Sequence, residues 1–258
     1  IASGTGAVDF GGVIGGVANK HLSGLTVNST AGSGGVTNTG TIDIKGIGST
    51  TGPEYGVEGT VTIGNTTTAD VTFDGTQYVV DGDFTVTSTA TGEKILFTGG
   101  GGSATVVQTN NDAISFNTGT IQLAASTPLT INSDGGPVSV TSIMSAGTDA
   151  DNDVTINANS DRTGDNNGED GDNNETILIG AVGAASDIGK LMLDAADGVT
   201  LSGNITLANA ANADLDVNSK FVVTASNGNT SVGGNLTVSG TLNVTGTQSV
   251  NSMAITGS

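Results

Sequence analysis

The sequence predicts an all-β protein, an elongated parallel β-solenoid in which each turn of the chain adds a short strand to each of two or three sheets. Three observations support this: about twenty apolar-polar-apolar triplets along the chain, 42 glycines among 258 residues, and an aromatic content of 3%. Alternation with a period of two is typical of half-buried strands. A core poor in aromatic residues suits thin stacked layers of Val, Ile, Leu and Ala better than one large centre.

The N-terminal segment, residues 1–20, is apolar and spaced by glycines, as in "AVDFGGVIGGV". A segment of this kind can extend and add a strand to the sheet of a neighbouring molecule. We therefore expect it to be a donor strand, with assembly contacts made by Val8, Phe10, Val13, Ile14 and Val17.

Residues 21–146 form the first half of the predicted β-rich body. Its triplets begin at Leu25, Ile42, Val61, Val71, Phe84, Ile95, Ile114, Ile121, Leu129 and Val138. Asp-Gly pairs at positions 74–75, 81–82 and 134–135 separate several of them. Such pairs favour hairpin turns but also occur at the corners of solenoids. A β-sandwich with strand exchange between subunits therefore remains the alternative fold.

Residues 147–175 are rich in Asp and Asn and are predicted to form a long acidic loop, within which one further strand triplet begins at Val154. Calcium takes roughly six to eight oxygen ligands, and closely spaced carboxylates supply them. The candidate calcium ligands are Asp149, Asp151, Asp153, Asp165, Glu169, Asp170 and Asp172. Their spacing is not that of an EF-hand, because Val154 and Ser160 fall where that motif needs Gly and Glu. A solvated loop without metal is the alternative interpretation.

Residues 176–258 form the second half of the body. Its triplets begin at Ile177, Leu191, Val199, Ile205, Leu215, Phe221, Leu236, Leu242 and Met253. The stretch from Ala184 to Leu193 is the one with some helical character, and we expect it to be a turn that leads into a strand. Met253 and Ile255, in the last triplet, are expected to contribute to the second assembly end.

Two stretches of this half resemble known repeats. "DVTINANSDRTG", with "TILIGAVG" and "GNITLANA" further along, resembles the repeats of filamentous-haemagglutinin-type bacterial surface adhesins. "VGGNLTVSGTLNVTGTQSVNSMAITGS", residues 232–258, resembles that family and also the shaft repeats of phage tail fibres. The resemblance covers the chain from residue 153 onwards. It implies a secreted, elongated β-helical scaffold without catalytic activity.

Charge and composition argue against several function classes. A net charge of −19 repels nucleic-acid phosphates and anionic lipids, and no apolar run is long enough for membrane insertion. The single histidine, His21, has no neighbours suited to a catalytic triad or a metal cluster. The chain has no Trp, and Tyr55, Tyr78 and Phe84 are its modest candidates for an aromatic platform. Glycan binding and enzymatic activity are therefore not expected.

The sequence thus predicts a non-enzymatic structural protein. We expect a secreted subunit of an extracellular or cell-surface filament that assembles head to tail by β-strand addition, with calcium as a candidate ligand. Two alternatives remain: a phage tail-fibre or virion shaft protein, and an adhesin module that binds a host or glycan surface.

Overall fold

Short β-strands joined by turns form the part of the chain that the structure describes. This computed structural model describes residues 1–16, 21–28, 40–49, 55–88, 93–147, 151–159, 175–208, 214–217, 221–224 and 229–232. Its strands are β1 Val8–Phe10, β2 Leu25–Val27, β3 Ile42–Ile44, β4 Val61–Asn65, β5 Val71–Phe73, β6 Gln77–Val79, β7 Phe84–Ser88, β8 Lys94–Phe97, β9 Thr105–Gln108, β10 Ile114–Thr118, β11 Thr120–Leu123, β12 Leu129–Asn132, β13 Val138–Ser145, β14 Val154–Asn157, β15 Thr176–Val182, β16 Leu191–Asp194, β17 Gly198–Leu201, β18 Leu215–Val217, β19 Phe221–Thr224 and β20 Asn229–Val232. One tight turn of four glycines, Gly99–Gly102, all with positive φ, lies among them.

The strands form a 12-stranded and an 8-stranded sheet, and their pairing is almost entirely parallel. The exceptions are β18 with β19 and β19 with β20, which pair antiparallel. A parallel pair requires the chain to cross over between its strands, whereas neighbours in an antiparallel sandwich are joined by hairpins. The protein is therefore all-β with parallel sheets.

The pairing register arranges the strands in three columns, each a series of residues stacked one above the next. The first column contains Leu25, Val61, Phe84, Ile114, Val138, Ile177 and Val199. The second contains Val8, Ile42, Val71, Ile95, Ile121, Ile143, Val182 and Ile205. The third contains Ile14, Ile47, Tyr78, Val107, Ile131, Ile156, Leu193 and Val217. We call each stretch in which the chain visits the first, second and third columns in turn a pass. Pass 1 contains Val8 and Ile14, pass 2 begins at Leu25, and the last, pass 8, begins at Val199.

The spacing between stacked residues gives the length of a pass. Residue 121 pairs with residue 143, 22 positions later, and residue 95 pairs with residue 121, 26 positions later. Longer spacings occur where extra residues lie between columns, as between 154 and 191 or between 138 and 177. Insertions at the connections therefore leave the register within the columns unchanged.

The core is the continuous interior of these columns. The inward side chains from pass 2 to pass 7 are almost fully buried, and most are Val, Ile or Leu, as the sequence predicts. The expected core of Val, Ile, Leu and Ala also contains aromatic residues, because five rings cluster inside passes 3 to 5. Phe73 stacks on Phe97 with 4.8 Å between ring centroids and meets Tyr78 edge-on, also at 4.8 Å. Phe84 and Phe116 extend the cluster.

The Asp-Gly pairs are corners between columns. Positions 74–75 connect β5 to β6, and positions 81–82 connect β6 to β7, so neither pair closes a hairpin. Gly75 is needed for close approach, because a Cβ there would lie 1.8 Å from the carbonyl oxygen of Lys45 on the previous pass. An Asn-Gly pair at 227–228, which also favours a hairpin, lies outside the described residues between the antiparallel β19 and β20.

Two of the segments defined on the sequence differ from their description. The acidic segment 147–175 is not wholly a loop, because it contains β14, the strand predicted at Val154, whose residues Val154 and Ile156 are fully buried in the third column. The N-terminal segment 1–20 contains β1, which pairs with β3 of its own chain. The stretch from Ala184 to Leu193 leads into β16, as predicted.

Candidate functional site

The N-terminal end of the columns presents an open strand edge. In β1, Val8 donates its N–H to the Thr41 carbonyl oxygen at 2.9 Å, and Phe10 accepts from the N–H of Lys45 at 3.2 Å. Alternate residues of a parallel strand direct their N–H and C=O groups to opposite sides. The N–H and C=O of Asp9 therefore point away from β3, to an edge at which no described strand pairs.

Four of the residues predicted to make assembly contacts lie together at this end. Val8 and Phe10 are half-buried on β1, Ile14 is half-buried in a single bridge to Ile47, and Val13 is 53% exposed. The residues of pass 2 that pair with Val8, Phe10 and Ile14 are fully buried, because they have a pass on each side. They are Ile42, Ile44 and Ile47. Val17, Met253 and Ile255 lie outside the described residues.

At the C-terminal end, the first and third columns stop at different levels. Among the described strands, β17 pairs only with β15, whereas the third column continues past β18 into β19 and β20. The inward side chains of pass 8 are poorly covered: Leu201 is 38% exposed, and Val199, Ile205 and Leu207 are half-buried.

The predicted calcium ligands are only partly within the described chain. Asp149, Asp165, Glu169, Asp170 and Asp172 lie outside it. Asp151 and Asp153 are exposed, and the Asp153 carboxylate accepts the backbone N–H of Lys190 at 2.7 Å, which links β14 to the next pass. In the described ranges, no three His, Cys, Asp or Glu residues are grouped so that they could hold a metal ion. Calcium binding therefore stays a prediction.

A cluster of carboxylates that the sequence analysis did not identify lies at the corner before the first column. Asp81 accepts from the Asn110 amide at 2.8 Å, and Asp83 accepts from the backbone N–H of Ala113 at 3.0 Å. These bonds bring both carboxylates near Asp112 on the next pass. Partial burial, followed by repulsion from Asp83 and then Asp81, raises the pKa of Asp112 to about 6.

A second acidic group, at the second column, contains the Lys45–Asp74 ion pair. Lys45 Nζ lies 2.5 Å from Asp74 Oδ2, and the Thr98 hydroxyl donates to Asp74 Oδ1 at 2.6 Å. These two hydrogen bonds lower the pKa of Asp74, and the bond to Asp74 raises the pKa of Lys45. Partial burial, with repulsion from Asp74 and Asp9, raises the pKa of Asp43. The first group lies at a corner, and the second extends from the 74–75 corner to the outer face of the second column.

A third acidic group, the pair Asp70 and Glu93, lies at the start of the second-column strands β5 and β8. A hydrogen bond between the two carboxyl groups raises the pKa of Glu93. Asp70 also accepts the backbone N–H of Lys94 at 2.7 Å, so it connects two passes. This pair, like the other groups, joins successive passes.

The aromatic residues considered for a sugar platform, and His21, make contacts within the fold. Tyr78 and Phe84 are fully buried in the core, so the expectation that they are candidates for an exposed sugar platform is wrong. Tyr55 is half-buried, and its carbonyl oxygen accepts a hydrogen bond from Nδ1 of His21 at 2.6 Å. His21 Nε2 lies 3.9 Å from Glu58.

Comparisons with known proteins leave the family open. No protein-family model, curated protein or solved structure matches the chain. Within the described ranges, no helix has the length and apolar character that crossing a membrane requires. The resemblance to adhesin and tail-fibre repeats therefore stays a prediction.

Proposed function

We propose that the chain is a parallel β-solenoid and the subunit of an extracellular or cell-surface filament, in which copies join head to tail by pairing strands across their ends. The single observation that carries this proposal is the open edge of β1, where Val8, Phe10 and Ile14 are only half-buried. An open edge is a template for pairing with another chain.

The proposed joint between copies differs from the strand donation that the sequence predicts for the N-terminal segment. Because β1 is already paired with β3, the N-terminal segment would contribute its free edge to the neighbour and remain in its own sheet. Each added copy would continue the parallel columns and cover the half-buried apolar side chains. A joint between two different surfaces produces either a ring or an open filament, and copies that continue the columns along one axis produce the filament.

The charge distribution is compatible with association at the ends. The strands of the first column, β2, β4, β7, β10, β13, β15 and β17, contain no charged residue, and the carboxylates described above lie at corners and on the outer face of the second column. The net charge of −19 disfavours contact between acidic regions on different copies.

The test is a proline at the free edge. Asp9→Pro removes the one N–H of β1 that points to that edge and no hydrogen bond to β3. Asp9→Asn is the matched control, because it removes the same charge and keeps the N–H. We expect filaments in electron micrographs of the unmodified protein and of Asp9→Asn, and dispersed monomers with unchanged β circular dichroism for Asp9→Pro. Monomers in all three samples, or equally long filaments from Asp9→Pro, would contradict the proposal.

A further inference from the structure

We propose that the charge on Asp43 controls how firmly β1 is held on β3, and with it whether the open N-terminal edge is in place to receive another copy. When Asp43 is neutral, β1 stays on β3 and copies can join. When Asp43 is ionised, β1 leaves β3 more often and joining is slowed. The effect on filaments rests on the proposed function, whereas the attachment of β1 can be measured on single molecules.

The first observation is the pairing of two carboxylates where β1 joins the second column. The register places Asp9 of β1 directly opposite Asp43 of β3. Asp43 is directed to the outer face of the sheet, because its neighbours Ile42 and Ile44 are fully buried on the inner face. Paired strands lie about 4.8 Å apart, and like charges directly opposite each other destabilise a strand pair. The ionised form of Asp43 therefore weakens the attachment of β1.

The second observation is that the other groups facing Asp43 do not cancel this repulsion. On the opposite side of β3, the uncharged Thr72 of β5 pairs with Asp43, and Asp74 follows β5 directly. Lys45, which follows β3, is the cation of this group, but its amino group forms the ion pair with Asp74. The Tyr78 hydroxyl, in the core beneath, is uncharged because burial raises the pKa of Tyr78. Asp43 therefore has a carboxylate on each side, on β1 and at the end of β5.

The third observation is the direction in which Asp43 titrates. Partial burial, followed by repulsion from Asp74 and then Asp9, raises the pKa of Asp43, and the attraction of Lys45 only partly offsets this. When β1 leaves β3, Asp43 loses the repulsion from Asp9 and is more exposed to water, so its pKa moves back towards the ordinary range. The attached state therefore binds the proton more tightly, and attachment strengthens as pH falls through the raised value.

The attachment of β1 is weak enough for one charge to matter. β1 has three residues and pairs with β3 as its one neighbour among the described strands. Its inward side chains, Val8 and Phe10, are half-buried. Segments with few buried contacts open locally at a small cost in free energy. In the proposed joint, a second copy pairs with the free edge of β1, and an edge that is already ordered costs less to bind.

The test follows hydrogen exchange of the Val8 and Lys45 amides, which donate hydrogen bonds between the β1 and β3 segments. The full chain is measured at a dilution where it is monomeric, and the rates are corrected for the effect of pH on exchange itself. In the unmodified chain, protection of both amides should rise about two- to fivefold between pH 7.5 and pH 4.5. In Asp43→Asn, protection should already be high at pH 7.5 and change little on acidification.

The matched control is Asp194→Asn. Asp194 lies on the exposed outer face of β16 in the third column, so this variant loses one negative charge far from β1. Both amides should respond to pH as they do in the unmodified chain. Electron microscopy at a higher concentration should then show filaments that are longer at the lower pH for the control and nearly equal at both pH values for Asp43→Asn. The two variants have the same net charge, so a difference between them reports the position of the charge.

Equal protection at both pH values in the unmodified chain, or the same rise in Asp43→Asn, would overturn the inference. The exchange result and the micrographs can fail separately. Rising protection without filaments at either pH refutes the assembly proposed above and leaves the attachment of β1 under the control of Asp43. Filaments whose length follows pH equally in both variants refute the link between Asp43 and assembly.

Discussion

Tyr78→Phe removes one oxygen atom from the centre of the core and leaves the ring in place. The Tyr78 hydroxyl accepts the N–H of Gly75 at 2.7 Å and donates to the carbonyl oxygen of Ile44 at 2.9 Å. It thereby connects the 74–75 corner to the previous pass inside a region that excludes water. Burial raises the pKa of Tyr78, so the hydroxyl stays protonated and able to donate throughout the usual pH range.

The cost follows mainly from one group that loses its partner, the Gly75 N–H. The Ile44 carbonyl oxygen still accepts the backbone N–H of Asp74 at 3.0 Å, so it stays satisfied. The edge-on contact with Phe73 does not depend on the hydroxyl and is retained. Since an unsatisfied buried backbone group costs about 1–3 kcal/mol, we expect a loss of that size in the free energy of unfolding.

Urea unfolding followed by circular dichroism measures this loss. The midpoint should fall while the m-value stays constant, because the surface exposed on unfolding is nearly the same. Tyr55→Phe makes the same chemical change at a half-buried position, where water can take the place of the hydroxyl, and it should cost less than Tyr78→Phe. Equal midpoints for the two variants would refute the role assigned to the Tyr78 hydroxyl.

Two other predictions concern polar groups that join successive passes. Asp112→Asn should stabilise the protein at pH 7 by about 1 kcal/mol, a value reduced for solvent screening. The raised pKa of Asp112 means that wild-type stability increases as pH falls through about 6 towards the ordinary range of a carboxyl. Urea midpoints between pH 7.5 and 5 should show this increase in the wild type and a smaller one in the variant, and identical slopes would contradict it. Asn152→Ala should cost about 2–4 kcal/mol, because the buried Asn152 amide accepts from the N–H of Thr127 at 2.7 Å and donates to the Ala124 carbonyl oxygen at 2.9 Å. Asn117→Ala, at an exposed position, is its control in the same unfolding assay, and equal losses would exclude the assigned role.

The sequence predicts strands well where the inward residues are apolar, as at Leu25, Ile42 and Leu129. It does not predict β9, because the buried inward Thr105 interrupts the apolar alternation and bonds its hydroxyl to the Gly75 carbonyl oxygen. It also does not predict β6, where Tyr78, Val79 and Val80 are all buried next to a corner and no alternation is present.

Contacts between residues of successive passes cannot be predicted from local sequence patterns. Asp83 and Asp112 are 29 residues apart, and Phe73 and Phe97 are 24 apart, so their proximity depends on the length of one particular pass. Pass lengths vary with the insertions at the connections, and the sequence alone does not fix which triplet stacks on which. The same limit explains why Tyr78 and Phe84 are candidates for an exposed platform on the sequence and core residues in the structure.

The stacking of passes affects where the molecule begins to fold and where it begins to unfold. Each pass rests on the one before and the one after it, so stability is close to a sum of nearest-neighbour contributions. The ring cluster gives passes 3 to 5 additional buried contacts, whereas β1 in pass 1 and β17 in pass 8 each pair with one described strand only. Folding would then nucleate in the middle and spread outwards, and thermal opening would begin at the two terminal passes while the aromatic centre remains intact.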